Sequence, residues 1–365
     1  MMQAYSAQCR SAPRRIVTEF GRTKSSCSNR RFYGASSLES VHRRGNTITI
    51  ETLQTRTLDE NWILPTFIHL PPNPKPNPLL LISGWTGVSA DWGSLPKMIS
   101  SRSNRPVITY DPRHLGFSKR IGDNKEEELK LTLDLMTDDA IQVAQQGLLH
   151  IQKKHELESP NSITLAGASM GGMIAQNFAQ QVQLNDQRIQ NVVSMILIAT
   201  TPGVKQLQSP RLRSFFKCFQ GWPQDKTKSA SQFFLALGES YNGCVVNRSK
   251  HVMKQRFIEK FILSRDMHEQ VAQNPFLKGV TVQYQALREP FDSTTYLKHL
   301  GIPSLVIHGA DDSVISKEAA ELLHQHLSHS KLVIIPDCDH LCWLTHPLFL
   351  VDSMCDFLAC RTPNL

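Results

Sequence analysis

Short apolar, β-branched runs alternate along most of this chain with longer stretches whose apolar positions recur at helical spacing. Thr47-Ile48-Thr49-Ile50 and Pro65–Leu70 predict an antiparallel strand pair that opens a sheet. Leu79–Ile82, Pro106–Asp111, Ile163–Ala168 and Asn191–Ala199 predict further strands, with helices over Leu131–His155 and Met170–Gln181. Such alternation builds a mostly parallel, doubly wound sheet, so the expected class is α/β. Pro71 through Pro78 holds five prolines and reads as a stiff connector. From Pro202 to about Pro290 the strand rhythm stops. Arg, Lys, Phe and Gln at helical spacing take over, as in Phe215-Phe216, Phe233-Phe234, Phe257 and Phe261. Strands resume at Ile302, with Ser304–Gly309 and Lys331–Pro336. No glycine-serine linker sets the middle part off, so it reads as a helical cap inserted between two core strands. The organisation is then a core over 47–201 and 291–365 with the cap at 202–290.

Gly167-Ala168-Ser169-Met170-Gly171 sits where a strand turns sharply into a helix. Small residues two before and two after Ser169 let strand and helix approach closely, and the strained turn presents the hydroxyl, a nucleophile elbow. A serine needs a base, and the base an orienting acid. In this architecture the acid precedes a histidine near the C-terminus. Asp311 and Asp312 follow the strand that ends at Gly309, and His340 follows the last strand. Both lie just past the carboxyl end of a strand, where parallel sheets build their sites. Upstream, Leu79–Ile82 runs into Ser83-Gly84-Trp85-Thr86-Gly87, a turn able to aim a backbone N–H at an oxyanion; the N–H of Met170 would be the second donor. His308 and His346 compete with His340 as candidate base, and Asp111 and Arg113 read as a structural pair bracing a nearby loop.

The segments LLLISGWTGVSADW, VITYDPRHLGFS, ITLAGASMGGMIAQNFA, QYQALREPFD, PSLVIHGADDSVI and KLVIIPDCDHLCWLTHP together resemble an α/β-hydrolase of the esterase, lactonase and aminoacrylate-hydrolase-like group. The resemblance covers about residues 79–360 and implies the α/β-hydrolase fold, with the cap over the serine. By that resemblance Ser169 matches the nucleophile, His340 the general base and Asp312 the acid, three residues after the strand-end glycine. Trp85 and Met170 match the oxyanion-hole positions. The implied chemistry is hydrolysis of an ester, thioester or lactone in a small-molecule acyl substrate, with no metal or organic cofactor. Carbon–carbon hydrolysis or acyl transfer on the same triad, and a non-catalytic binding protein, are the alternatives. Two departures stand out: Ser83-Gly84 where the family often has His-Gly, and Asp339 where it tends to have Gly before the histidine. The Asp339 carboxylate would act on the imidazole or point into solvent.

At 365 residues with 40% apolar content, the chain can bury a core of this size. Its longest apolar run, Val192–Thr200, is strand-sized, so no transmembrane segment is expected. Eight cysteines lack the paired spacing of a zinc site or a disulfide framework, and Cys338 and Cys342 read as packing residues; a reducing compartment fits best. The net charge of +8 changes the picture only at the start. Residues 1–33 carry seven Arg and Lys against Glu19 alone, a net +6, leaving +2 elsewhere. Arg-rich, Ser-rich and acid-poor composition is that of a mitochondrial transit peptide, followed by a flexible basic linker at 34–46. A mitochondrial matrix location is the expectation, with the cytoplasm as alternative. The near-neutral remainder argues against nucleic acid as a partner.

Overall fold

The computed structural model describes residues 47–121, 131–155, 162–184, 186–203, 275–287 and 289–360. The expected transit peptide, the linker, most of the expected cap and its six named phenylalanines lie outside the described residues. Nine strands form one mixed sheet: β1 Thr49–Arg56, β2 Trp62–Leu70, β3 Leu79–Ile82, β4 Val107–Tyr110, β5 Lys119–Arg120, β6 Ser162–Ala168, β7 Asn191–Ile198, β8 Ser304–Gly309 and β9 Ser330–Ile335. Their order is β1-β2-β4-β3-β6-β7-β8-β9, with β5 beside β2. β1, β2 and β5 pair antiparallel, whereas β4, β3, β6, β7, β8 and β9 run parallel to one another.

The strand sequences show why both faces are covered. Side chains alternate across a strand, so a run that is apolar throughout must bury two faces. In β3, Leu80 and Ile82 enter one core while Leu79 and Leu81 enter the other. Leu165 and Ala166 of β6, Met195 and Ile196 of β7, and Val306 and Leu305 of β8 divide the same way. The first core is closed by helices α2 (Leu133–His155) and α3 (Met170–Gln183), whose Ala140, Ile141, Ala144, Met173, Ile174 and Phe178 are all essentially inaccessible. The second is closed by α1 (Leu95–Ser103) and by the C-terminal helix Pro347–Ala359, through Leu95, Ile99, Leu350, Val351 and Met354.

The opening strand runs six residues past Ile50, to Arg56. Glu51, Gln54 and Arg56 are polar, and β1 is an edge strand half exposed to water, so the apolar pattern that marks the inner strands fades there. After β7 the chain leaves the core at Gly203, which forms an isolated antiparallel bridge with Asp292, where it comes back. Ser293 ties this junction down: its hydroxyl bonds the Gln176 side chain at 2.6 Å and the Pro202 carbonyl at 2.9 Å. Before that return lies one described helix, α4 (Pro275–Ala286).

Candidate active site

The site is built where the strand order leaves β3, β6, β7, β8 and β9 ending side by side. Ser169 is the single residue between β6 and α3, with φ 54° and ψ −122°. An L-residue in that conformation costs on the order of 1–3 kcal/mol and must be held by its surroundings. Here Ser169 N–H donates to the Ile198 carbonyl at 2.9 Å, and the Thr200 hydroxyl donates to the Ser169 carbonyl at 2.6 Å. The flanking glycines are required by contact. A Cβ on Gly167 would stand 2.1 Å from the Gly171 carbonyl oxygen, and one on Gly171 would stand 2.2 Å from that of Ile82. Helix α3 therefore starts directly against the ends of β6 and β3, and Ser169, partly exposed, crowns the turn.

His340 lies beyond β9, and its ring Nε2 is 3.1 Å from Ser169 Oγ. On the other side, Nδ1 is 2.8 Å from Asp312 Oδ2. A carboxylate only accepts, so Nδ1 carries the proton and Nε2 presents its lone pair to the serine hydroxyl. Of the two adjacent aspartates, Asp312 is the buried one and meets the imidazole, while Asp311 is exposed. Val314 and Ile315 donate their N–H groups to Asp312 Oδ1, each at 2.9 Å, which fixes the carboxylate plane. Burial pushes the Asp312 carboxyl up, but the charges and hydrogen bonds of His340 and His308 outweigh it and hold it well below the ordinary range. Trp343 packs its ring edge-on at 6.0 Å from the His340 ring.

Gly84 lies against Ser169: a Cβ there would be 3.1 Å from Ser169 Cβ. Trp85 follows it, and Met170 is the first residue of α3, where a helix leaves its N–H without an intrahelical acceptor. Helix α4 grips this loop. The Thr86 N–H donates to Gln283 Oε1 at 3.0 Å, and Tyr284 packs its ring 6.0 Å from that of Trp85. Asp339 is buried rather than turned to solvent, and its Oδ1 accepts from the Leu341 N–H at 3.0 Å.

The expected bracing pair divides its work. Asp111 accepts from the N–H groups of Ser89 and Phe117, each at 2.9 Å. Arg113 instead forks onto Asp139 of α2, at 2.6 and 2.8 Å, and reaches Asp59 with its third nitrogen. Cys338 and Cys342 are both free thiols and fully buried. Among the described residues no cluster of His, Cys, Asp and Glu could hold a metal ion, and no helix is long and apolar enough to cross a membrane. The sequence marks His308 only as a rival of His340 and gives Gln283 no part, yet His308 touches Asp312 directly and Gln283 holds Thr86, the neighbour of Trp85.

A serine on the turn from β6 to α3, with an aspartate after β8 and a histidine after β9 brought to it on this sheet, matches the α/β-hydrolase architecture. Residues 77–347 match the family model described as the alpha/beta hydrolase fold, and the chain belongs to that family. It is similar to a proline iminopeptidase of Lactobacillus delbrueckii subsp. lactis, 25% identical over 275 residues, 72% of this chain and 84% of the relative. An sn-1-specific diacylglycerol lipase, ABHD11, of Danio rerio is 24% identical over 294 residues, 77% of this chain and 78% of the relative. Among solved structures, a thermophilic esterase from Thermogutta terrifontis superimposes with a TM-score of 0.59 at 22% identity, covering 86% of this chain and 98% of that one, a likeness of fold.

Proposed function

We propose that the chain is a serine hydrolase that cleaves an ester, thioester or lactone through an acyl-enzyme intermediate. The observation that carries this reading is the unbroken relay from Ser169 Oγ through His340 to Asp312, at 3.1 and 2.8 Å. Ser169 attacks the acyl carbonyl as His340 Nε2 takes its proton; Asp312 keeps the imidazole in the competent tautomer. The oxyanion forms against the N–H groups of Met170 and Trp85, and the positive end of α3 favours its charge. His340 then returns the proton to the leaving group and activates the water that releases the acyl group. Relatives named as an iminopeptidase and a lipase support an acyl-bond substrate. The test is labelling of the full chain by a fluorophosphonate, followed by assay against acyl esters and thioesters of increasing chain length. Labelling confined to Ser169, with a chain-length optimum in turnover, is expected. An unlabelled, inactive protein would refute the reading.

The same reading assigns residues 1–33 to mitochondrial import, on their seven cations and single acid. Residues 1–40 fused to a fluorescent protein are expected to carry it into mitochondria. A diffuse cytosolic signal would count against import.

A further inference from the structure

His308, at the penultimate position of β8, is completely inaccessible to solvent and has no role in the relay described above. Its Nε2 lies 2.9 Å from the carbonyl oxygen of Ile315 and 3.1 Å from Oδ2 of Asp312. A carbonyl oxygen can only accept, so Nε2 carries a proton, and two acceptors at nearly equal distance share it. The other ring nitrogen, Nδ1, is buried without a hydrogen-bond partner among the described residues. The carboxylate of Asp312 is thereby filled: two backbone N–H groups on Oδ1 and two imidazole N–H groups on Oδ2.

From this geometry we infer that His308 is a positioning residue that weakens the hold of Asp312 on the His340 proton and so sets the pH at which the base becomes active. The inference rests on the serine-hydrolase reading above. Each N–H that a carboxylate accepts spreads its charge and reduces what it offers the next donor. With the His308 donor removed, Oδ2 draws on His340 alone, the imidazolium is favoured, and the base is freed only at higher pH. Groups facing His308 from other elements act alongside it. They are Asp312 from the loop after β8, Glu318 at the start of the helix Lys317–His326, and His340 from the loop after β9, which shares Asp312 Oδ2. None of these residues is itself substituted in a His308 variant.

The test compares the full chain with H308L and H308Q. The rate of fluorophosphonate labelling at Ser169 and kcat/KM for a hydrolysed ester are followed from pH 5 to 9, with near-ultraviolet circular dichroism to verify folding. H308L is expected to move the acid limb upward by about one pH unit, a roughly tenfold loss below the limb, with little change in the high-pH plateau. H308Q, whose Nε2 reaches the same place, is expected to restore the limb. If H308L does not fold, H308N carries the same expectation, because its shorter amide stops short of Asp312. An unmoved limb in a folded H308L or H308N, or an H308Q limb displaced equally, would overturn the inference alone. A wild-type chain that never labels would instead overturn the serine-hydrolase reading on which it rests.

Discussion

Ser169→Ala is expected to lower kcat for a hydrolysed ester by about 10⁵-fold, because the proposed mechanism has no acyl-transfer step without the Ser169 hydroxyl. What remains is the modest help of oxyanion donors and binding. The fold should be indifferent: Ser169 Oγ bonds His340 and leaves the rest of the turn to backbone contacts, so stability should change by under about 1 kcal/mol. Ser169→Gly provides the contrast. The φ of 54° strains any side chain, and glycine relieves it, so this equally inactive variant should be more stable than Ser169→Ala by about 1 kcal/mol. Steady-state kinetics with urea unfolding of both variants checks the pair of claims. Ser169→Ala turnover within a hundredfold of wild type would mean that another group attacks the substrate.

The second large effect is on stability. Arg113→Met should cost about 3–5 kcal/mol, because it strands Asp139, buried in α2, without its bidentate partner. Adding Asp139→Leu should recover most of the loss, since a buried pair replaced by apolar side chains is often neutral. The deficit should depend on pH. Burial pushes the Asp139 carboxyl up to about 6 even against the hydrogen bonds and charge of Arg113. A carboxyl raised above its unfolded value of 3.8 binds its proton more readily in the native state, so its contribution to stability falls as pH rises through about 4 to 6. Removing Arg113 raises it further and carries the window toward neutrality. Urea midpoints of Arg113→Met should therefore fall further below wild type at pH 8 than at pH 5. A deficit equal at both, or undiminished by Asp139→Leu, would place the cost elsewhere.

Much of this was legible from residue order alone. Inner strands such as Leu79–Ile82 are apolar at every position because both faces are covered, and that leaves an unmistakable run. The residues around Ser169 were equally readable, since Gly167 and Gly171 exist to let backbones touch, a local constraint. Pairings across long separations were not. Arg113 could have met several carboxylates, and its choice of Asp139 depends on how α2 lies across the sheet. His308 looked like one histidine among 14 until the loop after β8 folded Asp312 back onto it. The two-residue strand β5 has no periodicity to detect and is defined by its neighbour β2.

The junction at Gly203 and Asp292 has an evolutionary consequence. Both strokes of the detour between β7 and β8 are stitched together at its mouth, so the register of the two strands does not fix how much chain runs between that mouth and helix α4. Doubling a closed loop adds only about 0.6 kcal/mol of closure entropy. Selection can therefore lengthen the chain ahead of α4 at small cost while β7 and β8 keep their pairing.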